Sequence, residues 1–457
     1  MFIHIVDAHS EDRYVDGTRR YCIKLFGATE SGAQIDVDVT GFRPFLYVAI
    51  PQGNTQLWKE KIVSEIMKRD SKSALDDLEA TIVQKGVLYG YTGGKQFSFV
   101  HLSVGTMSSF FTLKNILLTD IQTPKLSVLN VKIDVYESNI DPMLRFFHMR
   151  NINPCGWISL EEYESDEDVT IECEWTDINP CTEPPVPVAP FRQLVWDIEC
   201  DSFDGSFPVA KQGYRRVAKQ LWEFCDQASD VATHLRQAFA GEPGIALPPL
   251  KRPLSKVPEI PKSLLDACQP IWLKRESPSA KVKEECIVAL TAALDSAFAR
   301  IGIAGDPIIQ IGSVLVDGPN VERHIFVLGT CDKITGVTVH SFESEKDLLL
   351  AWFEWVFDSR VDIFVGYNTN CFDERYVWER LEELEIHDDT RVQQLSRLFD
   401  SSGREFVKLE EKKLASSALG DNTMYMWTTP GRLRIDLLGH IRRKAQLPSY
   451  KLDSVCA

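Results

Sequence analysis

The sequence predicts an α/β chain of the α+β kind, a strand-rich mixed amino-terminal domain followed by a sheet with flanking helices, and three observations carry that reading. Leu194-Val195-Trp196-Asp197-Ile198-Glu199-Cys200 is an apolar run with strand character that abruptly carries two carboxylates two residues apart. A second short apolar run, Val361-Asp362-Ile363-Phe364-Val365, leads through Gly366-Tyr367-Asn368-Thr369-Asn370-Cys371-Phe372-Asp373 into a helical pattern with Val377, Leu381 and Leu384 on one face. Residues 1 to about 185 are rich in strand patterns, with helices near 54–69 and 139–150.

Taken in order, the amino-terminal domain covers 1–185. Its last part, 161–183, holds ten acids and no Lys or Arg, so 161–185 reads as a solvated acidic linker. A second domain spans 186–457, opening on the strand near 193–199. Between that strand and the next lies an insertion at 209–303 with fourteen Lys and Arg against ten acids, a basic segment in a chain of net charge −16. It opens on a helical pattern (Val217, Leu221, Phe224, Val231, Leu235, Phe239), passes a Pro-rich stretch from Pro243 to Pro278, and closes on a helix around Val282, Cys286, Leu290 and Leu294. This reads as two helices bracketing an irregular connector, either a surface insertion, the weightier reading, or a contact to DNA or a replication factor. Strands near 307–316 and 322–329 follow, then a helix near 345–357 that Ser344 and Asp347 open as a capping pair, then the 361–365 strand and the Asp373 helix. No internal repeat is apparent.

Two acids on one face of a core strand repel each other and are costly to bury unless hard divalent cations sit between them. The plainer alternative is a strand end whose acids reach water. Asp373, at a strand-to-helix junction, reads as an N-cap worth about 1 kcal/mol or as a further carboxylate of the same metal site. Two ions roughly 4 Å apart, held by such carboxylates, suit in-line phosphodiester cleavage.

Composition narrows the class. A chain of 457 residues with 44% hydrophobic content can bury about two to four domain cores. Eleven Cys without a Cys-x-x-Cys pair argue against structural zinc and for reduced thiols in the cytoplasm or nucleus. The apolar start, Met1 to Val6, is too brief for a signal peptide and no stretch is long enough to span a bilayer, so a soluble intracellular protein with no membrane contact is expected.

These segments resemble a family. Asp197-Ile198-Glu199 is similar to the first exonuclease motif of B-family DNA polymerases, and Gly366 to Asp373 to the second. Gly41-Phe42-Arg43-Pro44-Phe45-Leu46-Tyr47-Val48, Tyr136-Glu137-Ser138-Asn139-Ile140, Arg145-Phe146 and Cys155-Gly156-Trp157 resemble the amino-terminal region of the delta group. Asp306-Pro307-Ile308-Ile309-Gln310-Ile311, Gly431-Arg432-Leu433-Arg434-Ile435-Asp436 and Leu447-Pro448-Ser449-Tyr450-Lys451-Leu452 complete a series in the family's order, with the delta-like forms of large DNA viruses nearest in look.

The resemblance implies a ribonuclease-H-like 3′-to-5′ proofreading exonuclease domain. It implies two Mg²⁺ or Mn²⁺ ions: Asp197 bridging both, Glu199 holding the water-activating ion, Asp373 holding the second through water. Phe207 matches an aromatic that packs on the 3′-terminal nucleotide, with an ordinary core Phe as the alternative. Asn368 matches a residue that binds the strand near the metals, and Tyr367 is either strand-binding or structural. Asp436 reads as support rather than ligand. The implied partners are DNA (a single-stranded 3′ end and primer-template), a sliding clamp or other replication factor, and the carboxy-terminal polymerase portion, in the nucleus or at a viral replication site in the host cytoplasm. The third exonuclease motif and the polymerase palm motifs are not found; Tyr450-Lys451-Leu452-Asp453 has one residue too few between Tyr and Asp. The chain is therefore expected to be the front part of a replicative polymerase, weakly active or inactive alone. The alternative is a non-catalytic single-strand-binding scaffold fragment.

Overall fold

The computed structural model describes all residues except 52, 88–90, 120–122, 162–163, 166–169, 277–278, 399–405, 417–419 and 457. The chain divides into two compact units, Met1–Arg192 with Pro430–Leu433, and Gln193–Thr429 with Arg434–Ala457.

The first unit begins with a long hairpin, Phe2–Val15 against Thr18–Ala28. Its two-residue turn, Asp16-Gly17, has positive φ at both positions (50° and 74°), the backbone that matches strand twist in so short a loop. The hairpin lies inside a seven-stranded sheet, and a four-stranded sheet packs with helices Thr55–Arg69 and Met107–Leu117. The family-like segments meet here: Arg145, on helix Pro142–Arg150, pairs with Glu137 and lies 4.5 Å over the Phe45 ring.

The expected acidic linker needs correction. Thr170–Glu174 pairs in parallel with Gln34–Thr40, and Ile178–Pro180 pairs with Gly156–Leu160, so much of 161–185 belongs to the seven-stranded sheet. Ile171, Cys173 and Ile178 alternate with the acids and are buried, while Glu172 and Glu174 face water. A half-buried strand carries just this alternation, and the charge count hid it. Residues 162–163 and 166–169 of that segment lie outside the described residues.

The second unit is built on a six-stranded mixed sheet in the order Thr338–Phe342, Asn320–Leu328, Ile308–Asp317, Gln193–Cys200, Ile363–Gly366, Leu433–Asp436. Gln193–Cys200 is central, antiparallel to Ile308–Asp317 and parallel to Ile363–Gly366. Leu194, Trp196 and Ile198 point into a core shared with Ile311, Leu349, Phe353, Phe364 and Val377. Helix Glu345–Asp358 is capped by Ser344, whose hydroxyl accepts from Asp347 N and donates to the Asp347 carboxylate at 2.6 Å. The hairpin Leu409–Ser416 with Gly420–Trp427 delivers Trp427 to the core, stacked on Trp196 at 5.3 Å. Trp352 lies 5.3 Å from Trp196 and 6.5 Å from Trp427, ring to ring.

The insertion also differs from expectation. Among the described residues it contains four α-helices, Arg215–Phe224, Asp230–Ala240, Lys262–Leu273 and Ala280–Ala297, around a separate core of Val217, Leu221, Leu235, Cys268 and Leu290. The opening pattern is two helices because the break after Phe224 keeps the apolar period. The supposed connector holds a helix that tolerates Pro270 near its end, with Cys268, Ile271 and Trp272 buried around it. No helix among the described residues is long and apolar enough to cross a membrane.

Candidate active site

The central strand alternates cleanly. Leu194, Trp196 and Ile198 are buried, whereas Val195, Asp197 and Glu199 are on the opposite, exposed face. Both acids therefore reach water, the plainer of the two readings that the sequence leaves open. Strand period puts Asp197 and Glu199 side by side, about 7 Å apart along the chain, where water shares the cost of their charge.

Burial falls on Asp373 instead. It is the first residue of helix Asp373–Glu383, 3% exposed, and Phe372, not Asp373, occupies the N-cap position. The N-cap reading therefore fails. Its carboxyl comes within hydrogen-bonding reach of Asp197 and of the Ile198 backbone N–H, and its acidity is weakened, pushed up to about 7, first by burial and then by the Asp197 charge. Asp373 Oδ1 is buried without a hydrogen-bond partner. Two carboxylates pressed together with an orphaned oxygen call for a shared proton or a cation.

The structure thus brings Asp197 and Asp373 together, with Glu199 two residues along the same strand face. Among the described residues no group of three or more His, Cys, Asp or Glu side chains is gathered closely enough to hold an ion. The all-oxygen donor set and the orphaned Asp373 oxygen fit a hard divalent cation. Cys200, next on the strand, is pushed up to about 12 by burial, so its thiol stays protonated and is not a nucleophile.

The approach to Asp373 is a tethered loop. Asn368 adopts a left-handed φ of 67°. Its backbone N–H donates to Asp436 Oδ1 at 2.8 Å, Asn370 N–H donates to Oδ2 at 3.2 Å, and Leu438 N–H donates to Oδ1 at 2.9 Å. Asp436 thereby caps helix Leu437–Lys444 and pins the loop at once. Tyr367 is half-buried, its hydroxyl donating to the Tyr450 carbonyl at 2.5 Å, while Tyr450 donates to Ala445 O. Those bonds give both tyrosines structural work.

Phe207 is 75% exposed, which removes the core alternative. Its ring meets Phe372 edge-on at 5.5 Å, and Phe372 in turn lies 5.2 Å from Tyr376. Sequence reasoning misses Phe372 because its partner is far away along the chain; its place immediately before Asp373 is the available signal. The Phe207 loop is held rigid. Asp204 accepts from Ser202, Ser206 and Gln220, and Arg216 donates to the Phe207 carbonyl and to both oxygens of buried Asp306. Asp306 also accepts from Val209 N–H.

Known proteins share this sequence and fold. The family model described as "DNA polymerase family B, exonuclease domain" matches residues 133–218 and 286–455, its interruption falling inside the four-helix insertion. The DNA polymerase of Pyramimonas orientalis virus is 29% identical over 96% of this chain and 40% of its own length. The DNA polymerase delta catalytic subunit of Schizosaccharomyces pombe is 22% identical over 95% of this chain and 32% of its own. The chain thus spans two fifths or less of these relatives. The structure of the family B DNA polymerase from the archaeon Pyrobaculum calidifontis covers the whole chain at 16% identity with a TM-score of 0.51, and 39% of that polymerase is matched, a likeness of fold.

Proposed function

The chain belongs to the exonuclease domain family of family B DNA polymerases, and from that premise we propose that its site of Asp197, Glu199 and Asp373 removes nucleotides from the 3′ end of a DNA strand, as the proofreading part of a replicative polymerase. The single observation that carries the reading is the buried Asp373 carboxyl held against Asp197 beside an exposed aromatic, Phe207. Asp197, Glu199 and Asp373 are the residues that would hold two Mg²⁺ or Mn²⁺ ions. Such ions, when bound, supply polarisation of a water nucleophile and stabilisation of the leaving 3′ oxygen.

The remaining work falls to the chain itself. Phe207 offers an exposed, sequence-blind face for the terminal base, steadied by Phe372. Asn368, fixed in its left-handed conformation by Asp436, would present its side chain to the strand. In the metal-free protein burial and the Asp197 charge push the Asp373 carboxyl up to about 7, so that near neutral pH it is only partly ionised and the repulsion of the pair is eased.

The test is degradation of a 5′-labelled single-stranded oligonucleotide with Mn²⁺, comparing wild type with Asp197→Ala. Loss of activity in the variant is expected; activity that survives Asp197→Ala overturns the assignment. Strand binding without any metal-dependent degradation, even when the carboxy-terminal polymerase portion is supplied, would favour the scaffold alternative.

A further inference from the structure

A cavity of about 610 Å³ opens between helices Arg215–Phe224 and Ala280–Ala297 of the insertion, and the catalytic reading does not use it. Five cations line it, Lys211, Arg215, Arg216, Lys219 and Lys283, against two acids, Asp204 and Glu284. In a chain of net charge −16 that concentration is notable, because self-repulsion has to be offset there while acids are plentiful elsewhere.

The cations differ in availability. Arg216 is committed to buried Asp306 and keeps the wall in shape. Lys211, Arg215 and Lys283 are paired with Glu382, Glu284 and Glu223, each pair partly exposed to water. Exposed pairs of this kind are worth about 0–1 kcal/mol, so an incoming phosphate can replace the carboxylate. Lys219 is exposed, and among the described residues no carboxylate lies within ion-pairing distance of it.

The wall is continuous with the site. Asp204 and Val209, both lining the cavity, bracket Phe207 in one loop. Arg216 joins that loop to the insertion through the Phe207 carbonyl. Phe207 then touches Phe372, the neighbour of Asp373. A strand whose last base rests on Phe207 would carry its preceding phosphates toward this basic wall.

We propose that the insertion cavity binds the phosphate backbone of the same single strand, behind its 3′ terminus, with Lys219 and Lys283 as the principal contacts; this rests on the strand-binding reading above. It assigns the insertion a role as an electrostatic extension of the exonuclease cleft. A strand fits better than a free nucleotide, since among the described residues no aromatic face lines the cavity to hold a lone base.

The experiment measures anisotropy of 5′-labelled three- and twelve-nucleotide oligomers on the full chain, in EDTA, across a salt series. Lys219→Glu with Lys283→Glu should weaken the twelve-mer about tenfold and flatten its salt slope by about 1.4, roughly 0.7 for each lost phosphate contact. Trimer affinity should hold, and Lys219→Arg with Lys283→Arg should behave as wild type. Unchanged twelve-mer affinity and slope, while Phe207→Ala still weakens binding, overturns the cavity assignment and leaves the active-site reading intact. Wild type that binds neither oligomer overturns both. Equal losses for the two lengths, tight binding of a lone mononucleotide in the cavity, or displacement of the oligomer by a polyglutamate peptide of equal charge would each overturn the strand assignment.

Discussion

Replacing Asp373 by Asn should make the metal-free protein more stable at pH 8, although it removes a residue of the site. Burial and the neighbouring Asp197 push the Asp373 carboxyl from 3.8 up to about 7. The folded state therefore binds this proton more tightly than the unfolded chain. The stabilising contribution is fully present below about 3.8, is lost as pH rises, and is gone above about 7. That span corresponds to about 4 kcal/mol at most between the two plateaus. Asn keeps the shape without the charge, so it should recover about 2–4 kcal/mol at pH 8, which for a unit of this size is a rise of roughly 5–12 °C in Tm. At pH 5 the folded carboxyl is protonated but the unfolded one is already ionised, so the gain should shrink to less than half its size at pH 8, about 1.5 kcal/mol at most. Scanning calorimetry in EDTA at pH 5 and pH 8 measures both differences. Adding Mn²⁺ at pH 8 should then stabilise wild type more than Asp373→Asn, which keeps Asp197 and Glu199 for one ion but lacks the third carboxylate. An Asn variant less stable than wild type at pH 8, or a gain of equal size at both pH values, would refute the argument that carboxylate repulsion shapes this site.

Other outcomes follow from the same geometry. Phe207→Ala should weaken single-strand binding by about 1–3 kcal/mol with little change in Tm, since the side chain is mostly in water; unchanged affinity with a lowered Tm would return it to a packing role. Asp436→Ala should cost about 2–3 kcal/mol in urea unfolding, combining a lost helix cap with two lost loop tethers, and should raise the KM for DNA, while Asp436→Asn retains part of both. Arg216→Ala leaves the Asp306 carboxylate buried and unpaired and should destabilise by about 3–5 kcal/mol; a near-neutral result would mean that water already reaches Asp306.

The legible parts of the fold were those governed by local period. Leu194, Trp196 and Ile198 announce their strand face, and Val377 and Leu381 announce their helix. Illegible parts depend on partners distant in sequence. Leu409–Ser416 and Gly420–Trp427 pair with each other, and their anchor, Trp427, donates through its ring N–H to the Glu374 carbonyl and through its backbone N–H to the Glu374 carboxylate. Nothing in the local pattern announces that. The apolar neighbours of Asp197 and Glu199 leave their burial open in the sequence, because burial follows the face of a strand and residues next to each other in the chain lie on opposite faces. Asp373 was legible as an acid at a junction, but its burial and its contact with Asp197 are consequences of how the two parallel strands lie. The insertion's helix count was obscured by a period that survives the break after Phe224 and by Pro270, which here sits inside a helix.

The three tryptophans under the site give the protein an optical label of its own. Trp196, Trp352 and Trp427 stand close enough for their indole transitions to couple, and Trp196 stacks on Trp427 with only 19° between planes. Coupled chromophores in fixed orientation produce a circular dichroism couplet whose sign and size follow their mutual angle. Trp196 immediately precedes Asp197, and Trp427 is bonded to Glu374, the residue after Asp373. A rearrangement that shifts the strand of Asp197 or the strand end at Trp427 would change the angle between the two stacked indoles. The circular dichroism of this tryptophan cluster therefore reports on the packing directly beneath the carboxylates, without a dye, a substrate or a turnover.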